Sequence, residues 1–543
     1  MKNIKYILLC TASFAFLSCN DIEDVDQEEI IIEEQVDLTA GTADFSTYVS
    51  IGNSLTAGFT DNALFIASQE NSMPNMLSQK FALAGGGSFV QPLMNDNYGG
   101  VAVGGTRILE PRLVFDGSGP AALESLIGDV TVTTDLLVNN PTGPFNNLGV
   151  PGAKSFHLLA PGYGNLANVS LGLANPYFVR MTGATPDASV LELALAQSPS
   201  FVSLWIGSND VLGYALSGGD GSDEITPLDG DVGVGFNATY ATIIGALAAS
   251  GAQGVAANIP DITSIPHFTT VPYNPLDPTD ATFGAQIATL NGVFGQLNQV
   301  FAFLQVSERS IVFSETEASA VVVKDETLVD LSAEITAVLN ASTTFPTFVE
   351  SFGLPAAAAS IVANLFGVVY GQARQATADD LFVLPSSSII GEINTEAYSF
   401  FVSQGLSETL AAQFSVEGVS YPLDDKWVLL PSEQEEIATA ISAFNSTIEA
   451  SVTQAGFAFV DVNSILNQLA NGGVTSEDYI LTSNLVTGGA FSLDGVHPTA
   501  KGYAFLANEF LTAIDETYDS NFEASGSLLD LLEYPTNYAA VLE

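Results

Sequence analysis

Basic residues are scarce in this chain: 12 Lys and Arg stand against 61 Asp and Glu, a formal charge of -49 over 543 residues. So acidic a polypeptide repels phosphate backbones and has no basic stripe to lay along them, which excludes nucleic acid as a partner. Cysteine is scarcer still. The only two, Cys10 and Cys19, sit near the amino terminus, so the body of the chain can form neither disulfides nor thiolate metal sites and depends on core packing for its stability. Several catalytic signatures are missing as well. There is no Gly-x-Ser-x-Gly elbow, no Gly-rich P-loop, no dinucleotide fingerprint and no His-Glu-x-x-His zinc motif. Internal repeats are absent too, which argues against solenoids and propellers.

What is present begins with a targeting segment. In residues 1–19, Lys2 and Lys5 precede an apolar run from Ile7 to Leu17, followed by Ser18-Cys19. Leu17-Ser18-Cys19 looks like the end of a bacterial lipobox, with Phe16 in place of the usual Leu. That reading makes Cys19 the lipidated first residue of an extracytoplasmic mature protein, anchored to the bacterial outer membrane. An ordinary signal peptide or an amino-terminal anchor is the alternative. Residues 20–40 are acidic, with no Lys or Arg, and suit a solvated tether; they also resemble a surface-export signal.

With 47% of the chain hydrophobic, bulk disorder is excluded for the body. From Thr47 to Phe59, a short apolar strand at Ser46 to Ile51 runs into Gly52-Asn53-Ser54. Glycine lets the backbone turn sharply, presenting the Ser54 hydroxyl at the strand's carboxyl end, where open α/β sheets place their sites. Further strands are predicted at Ser200 to Ile206, Val255 to Ile259 and Phe457 to Val462. Helices are predicted near Met73 to Ala84, from an Asn237 cap to Ser250, and over Ala500 to Thr517. A capping box at Ser432-x-x-Glu435 opens one more, with Ile437, Ile441, Phe444, Ile448 and Val452 on one face and Gly456 at its end. Such alternation implies a doubly wound parallel sheet with right-handed crossovers. Residues 86–150, rich in Gly, Asn and Pro, read as loops with short strands.

Three distant segments bear on Ser54: Gly149-Val150-Pro151-Gly152, Gly207-Ser208-Asn209-Asp210 and Asp494-Gly495-Val496-His497. In order and spacing, across nearly the whole mature chain, the four blocks resemble the SGNH (GDSL) family of esterases and lipases. The resemblance implies a three-layer α/β/α, flavodoxin-like parallel sheet over residues 41–520; between about 265 and 430 the chain exceeds what a minimal sheet needs, and that stretch reads as a large, mainly helical insertion. Residues 521–543 are expected to form a carboxyl-terminal tail. It also implies a serine ester hydrolase without cofactor or metal: Ser54 as nucleophile, His497 as base, and Asp494 holding the imidazole. The oxyanion donors would be the backbone N–H groups of Ser54 and Gly152 and the side-chain amide of Asn209. Asn53 departs from the family pattern, replacing the Asp of its Gly-Asp-Ser-Leu signature while keeping a carbonyl acceptor.

The expected substrate is an ester: a lipid, a small acyl ester or an acetylated glycan. A carbohydrate O-deacetylase would use the same residues, and a noncatalytic surface binding lipoprotein could retain the fold. Of the three histidines, His157 and His267 lack a carboxylate at close spacing and read as packing or surface residues. Asp220, Asp223, Glu224, Asp229 and Asp231 form an acidic loop whose spacing misses the EF-hand pattern, leaving a solvated loop or a calcium ligand set. The uncharged stretch Ser351 to Ala373 is long enough to span a bilayer, yet its Pro, Asn and Gly content predicts a soluble role: core packing, or an apolar wall for the acyl chain.

Overall fold

The computed structural model describes residues 36–476 and 479–542, and from Leu38 onward they belong to one compact unit. The targeting segment, Cys19 and the acidic run to residue 35 lie outside the described residues.

Five short runs form the central sheet: β1 (Tyr48–Gly52), β2 (Asn147–Gly149), β3 (Phe201–Trp205), β4 (Gln253–Ala257) and β5 (Ala458–Val460). Every pairing is parallel, and the order is β2-β1-β3-β4-β5. β1 and β3 are buried at every position, which is why both read as unbroken apolar runs instead of alternating ones. The helices that serve the sheet are α1 (Ser54–Ala57), α2 (Met73–Leu83), α3 (Asn209–Leu216), α4 (Phe236–Ala249), α5 (Pro431–Ala455), α6 (Val462–Ala470) and α7 (Ala500–Tyr518). α2 packs on α7 and α4 on α5, while α5 and α7 both lie against β4 and β5. This α/β arrangement is compatible with three layers.

The five predicted face residues of α5 are all buried, and Gly456 ends the helix in the left-handed conformation. Its start differs from the expected Ser432–Glu435 box. The helix opens two residues earlier, with Leu430 as its cap and Pro431, whose missing N–H is no loss there, as its first residue, and Glu433 accepts from the Leu430 N–H at 2.6 Å. Similarly, α4 begins at Phe236, so Asn237 lies inside it, and its side chain donates to Asp229 instead of capping.

Residues 265–430 build a second core around Phe294, Phe313, Phe345, Phe366 and Tyr370. Helices dominate this insertion, with two small antiparallel strand pairs, Val322–Lys324 with Ala373–Gln375 and Leu381–Phe382 with Val428–Leu429. Within 351–373 the chain is broken: Phe345–Ser351 and Ala356–Tyr370 meet at 116°. No single helix among the described residues is long and apolar enough to cross a membrane.

The final residues do not form a separate tail. Phe522 is fully buried, the Tyr538 ring packs edge-on against Phe65 at 5.0 Å, and the Arg112 guanidinium donates to the carbonyls of Ala539 and Ala540. The apolar side chains of this segment need cover, and the main body supplies it. At the other end the Thr39 N–H donates to Asn521 Oδ1 at 2.7 Å, so the body begins before residue 41.

Candidate active site

Register brings the first three blocks together. Gly52 of β1 pairs with Gly149 of β2 on one side and with Trp205 of β3 on the other. Three loops therefore leave the sheet at one level, carrying Ser54, Gly152 and Asn209 within a few residues of the strand ends. In the order 2-1-3-4-5 the chain reverses its direction of winding between β1 and β3, where doubly wound sheets open a crevice. Close packing holds the turn. A Cβ on Gly52 would lie 2.3 Å from the Trp205 carbonyl oxygen, and one on Gly149 would lie 2.3 Å from the Ala57 nitrogen.

Ser54 is the first residue of α1, so its N–H has no acceptor within the helix. Asn53 caps that helix, its Oδ1 accepting from the Leu55 N–H at 3.0 Å. Asn53 Nδ2 is buried without a hydrogen-bond partner among the described residues.

The fourth block arrives from 443 residues away. Ser54 Oγ lies 2.9 Å from His497 Nε2, and His497 Nδ1 lies 2.9 Å from Asp494 Oδ2. A carboxylate can only accept, so Nδ1 carries the proton and the Nε2 lone pair faces the Ser54 hydroxyl. Asp494 Oδ1 accepts from the N–H groups of Val496 and His497, each at 2.8 Å, and from Ser492 Oγ at 3.0 Å. Burial pushes the Asp494 carboxyl up, but the adjacent imidazole and these donors outweigh it and hold the group well below the usual carboxylate range. Phe59 packs on the imidazole with ring centroids 4.7 Å apart.

Sequence reading missed the clasp behind this loop. Asp61 and Asn62 both have positive φ, a conformation that Asp and Asn tolerate better than most residues. Their backbone N–H groups donate to Ser492 Oγ and Asp494 Oδ2, and Asp61 Oδ1 accepts from the Leu493 N–H. The visible signal was Gly58 followed closely by Asp61-Asn62. His267 braces the same loop from the insertion, its backbone N–H donating to the Gly495 carbonyl at 2.9 Å. His157 instead stacks on Tyr163 at 4.4 Å and accepts from the Lys154 N–H, and burial lowers it to about 4.

Asn209 opens α3, and one of its two amide N–H groups donates to the Ala153 carbonyl at 2.9 Å, joining α3 to the Gly152 loop. Below it, Asp210 accepts from the N–H and hydroxyl of Ser155, and burial raises its carboxyl to about 6 despite those bonds. Gly152 is exposed with φ +79°, and its nearest neighbour for a Cβ is 4.0 Å away.

Ser54, Asn53, Asn209 and His497 line one pocket of about 730 Å³, open mouth included, which continues between α3, α6 and α7. Gly152 does not line it. Neither does any residue of 351–373, so of the two roles foreseen for that stretch it is core packing that is seen: Leu365 and Phe366 are buried and face a different apolar pocket inside the insertion. In the acidic loop, Asp223 pairs with Lys154 at 2.6 Å and Asp229 accepts from Asn237. The carboxylates among the described residues that converge closely enough to hold a metal are Glu326, Asp425 and Glu433, and none lines the Ser54 pocket.

Comparison with protein-family models, with curated proteins and with solved structures finds no match to this chain.

Proposed function

We propose that the chain is a serine ester hydrolase of the SGNH type. The observation that carries this reading is the Asp494–His497–Ser54 relay, two contacts of 2.9 Å with the tautomer set by a buried carboxylate. Ser54 Oγ attacks the ester carbonyl carbon as its proton passes to His497 Nε2. The bond to the alcohol oxygen then breaks, and the alcohol leaves with that proton. Water repeats the sequence on the acyl-enzyme: His497 takes its proton, hydroxide attacks, and Ser54 Oγ recovers the proton as the acid departs. Negative charge on the carbonyl oxygen is met by the N–H of Ser54 and the second amide N–H of Asn209, which line the pocket; the family resemblance adds the N–H of Gly152, on the loop beside it.

Anchoring through a lipidated Cys19 belongs to the same proposal. Cys19→Ser is expected to move the protein from the membrane fraction to the soluble one with unchanged specific activity; retention in the membrane would overturn the anchor.

The catalytic reading is tested by treating the protein with an organophosphate ester and mapping the adduct. Modification at Ser54 together with hydrolysis of nitrophenyl esters is expected. An unreactive Ser54 in folded protein would leave a noncatalytic binder as the better account.

A further inference from the structure

We propose that the acid half of the substrate is an apolar chain of several carbons, seated between α6 and α7. The inference rests on the ester-hydrolase reading. From Ser54 and His497 the pocket runs past Leu212 of α3, Ile262, Ile465 and Leu469 of α6, and Leu506 of α7. Its polar side chains, apart from Trp205, are gathered at the reacting end: Asn53, Ser54, Ser208, Asn209 and His497. Trp205 offers nothing to a ligand, because its indole N–H already donates to the Asn258 carbonyl at 3.2 Å. Sugar hydroxyls placed here would lose water without gaining partners, which is costly.

α6 makes the same point from its own sequence. Asn463, Ser464 and Asn467 face a separate polar groove, whereas Val462, Ile465, Leu466 and Leu469 turn to the pocket. An apolar face of this kind is built to be covered. The acyl half suits it better than the alcohol half, because the alcohol must leave and water must then reach His497 while the acyl group stays on Ser54. A dry apolar sleeve retains the part that stays.

The test uses purified full-length protein and nitrophenyl esters from acetyl to octanoyl. Each methylene should raise kcat/KM by roughly fourfold until the pocket is filled, whereas lengthening the alcohol of an acetate ester should give no comparable rise. In Leu469→Trp the octanoyl-to-acetyl ratio should fall about tenfold or more. Leu469→Ser, which removes apolar wall instead of adding bulk, should lower the same ratio if the Trp variant does not fold. A ratio that is flat or falls with acyl length, while Ser54 is still labelled and esters are turned over, overturns the acyl pocket and leaves ester hydrolysis standing. Absence of both labelling and turnover overturns the two together.

Discussion

Ser54, His497 and Asp494 act as one unit, so their losses should not add. Ser54→Ala and His497→Ala are each expected to reduce ester turnover by up to roughly 10⁶-fold, with the double variant little worse. Asp494→Asn keeps the shape but destroys the tautomer control, for which a loss of about 10⁴-fold in kcat is the expected scale. Near-normal hydrolysis by folded Ser54→Ala protein would remove the central assignment. Asn209→Ala should lose about 10²- to 10³-fold, in kcat more than KM, because its amide gains most when charge develops on the carbonyl oxygen. A change confined to KM would count against that role.

At the scale of elements, two buried carboxyls tie active-site loops to their supports: Asp61 holds the 492–495 loop, and Asp210 holds α3 to Ser155. Burial raises them to about 7 and about 6 from an ordinary value of 3.8. A carboxyl with a raised folded pKa binds protons more tightly in the native state. Its contribution is therefore complete below pH ~4 and is lost as pH rises through about 6 to 7. Asp494, held low, behaves oppositely: its contribution is present above pH ~4 and is lost only as the solution becomes more acid. The melting temperature should accordingly be highest in mildly acid solution and fall toward pH ~8. Asp210→Asn should flatten that fall in scanning calorimetry; an unchanged slope would show that Asp210 does not titrate as described.

Across the whole molecule, the insertion keeps its own core, and Phe366 belongs to it rather than to the Ser54 pocket. Phe366→Ala should therefore lower stability by about 3 to 5 kcal/mol. The accompanying loss of turnover should be equal for short and long acyl esters, since no substrate-facing surface changes. A selective loss on long esters would return the insertion to the acyl site. Its contacts with the site come instead at its start, where Ile265 lines the pocket and the His267 N–H braces Gly495.

Local chemistry was legible in the sequence wherever a few neighbouring residues suffice. The apolar runs of β1 and β3, the buried stripe and Gly456 stop of α5, and the three-residue spacing that lets Asp494 reach His497 Nδ1 are all properties of short segments. Helix starts were less legible. A cap depends on which residue first takes helical geometry, and Pro431 and Phe236 took it before the expected residues. Only the tertiary structure decided the pairing of Gly52 with Gly149 and Trp205, because register belongs to three strands at once. It alone decided that α6 and α7, rather than residues 351–373, wall the pocket beside Ser54. An apolar stretch declares in sequence that it must be covered, but what covers it is settled by the whole chain's packing.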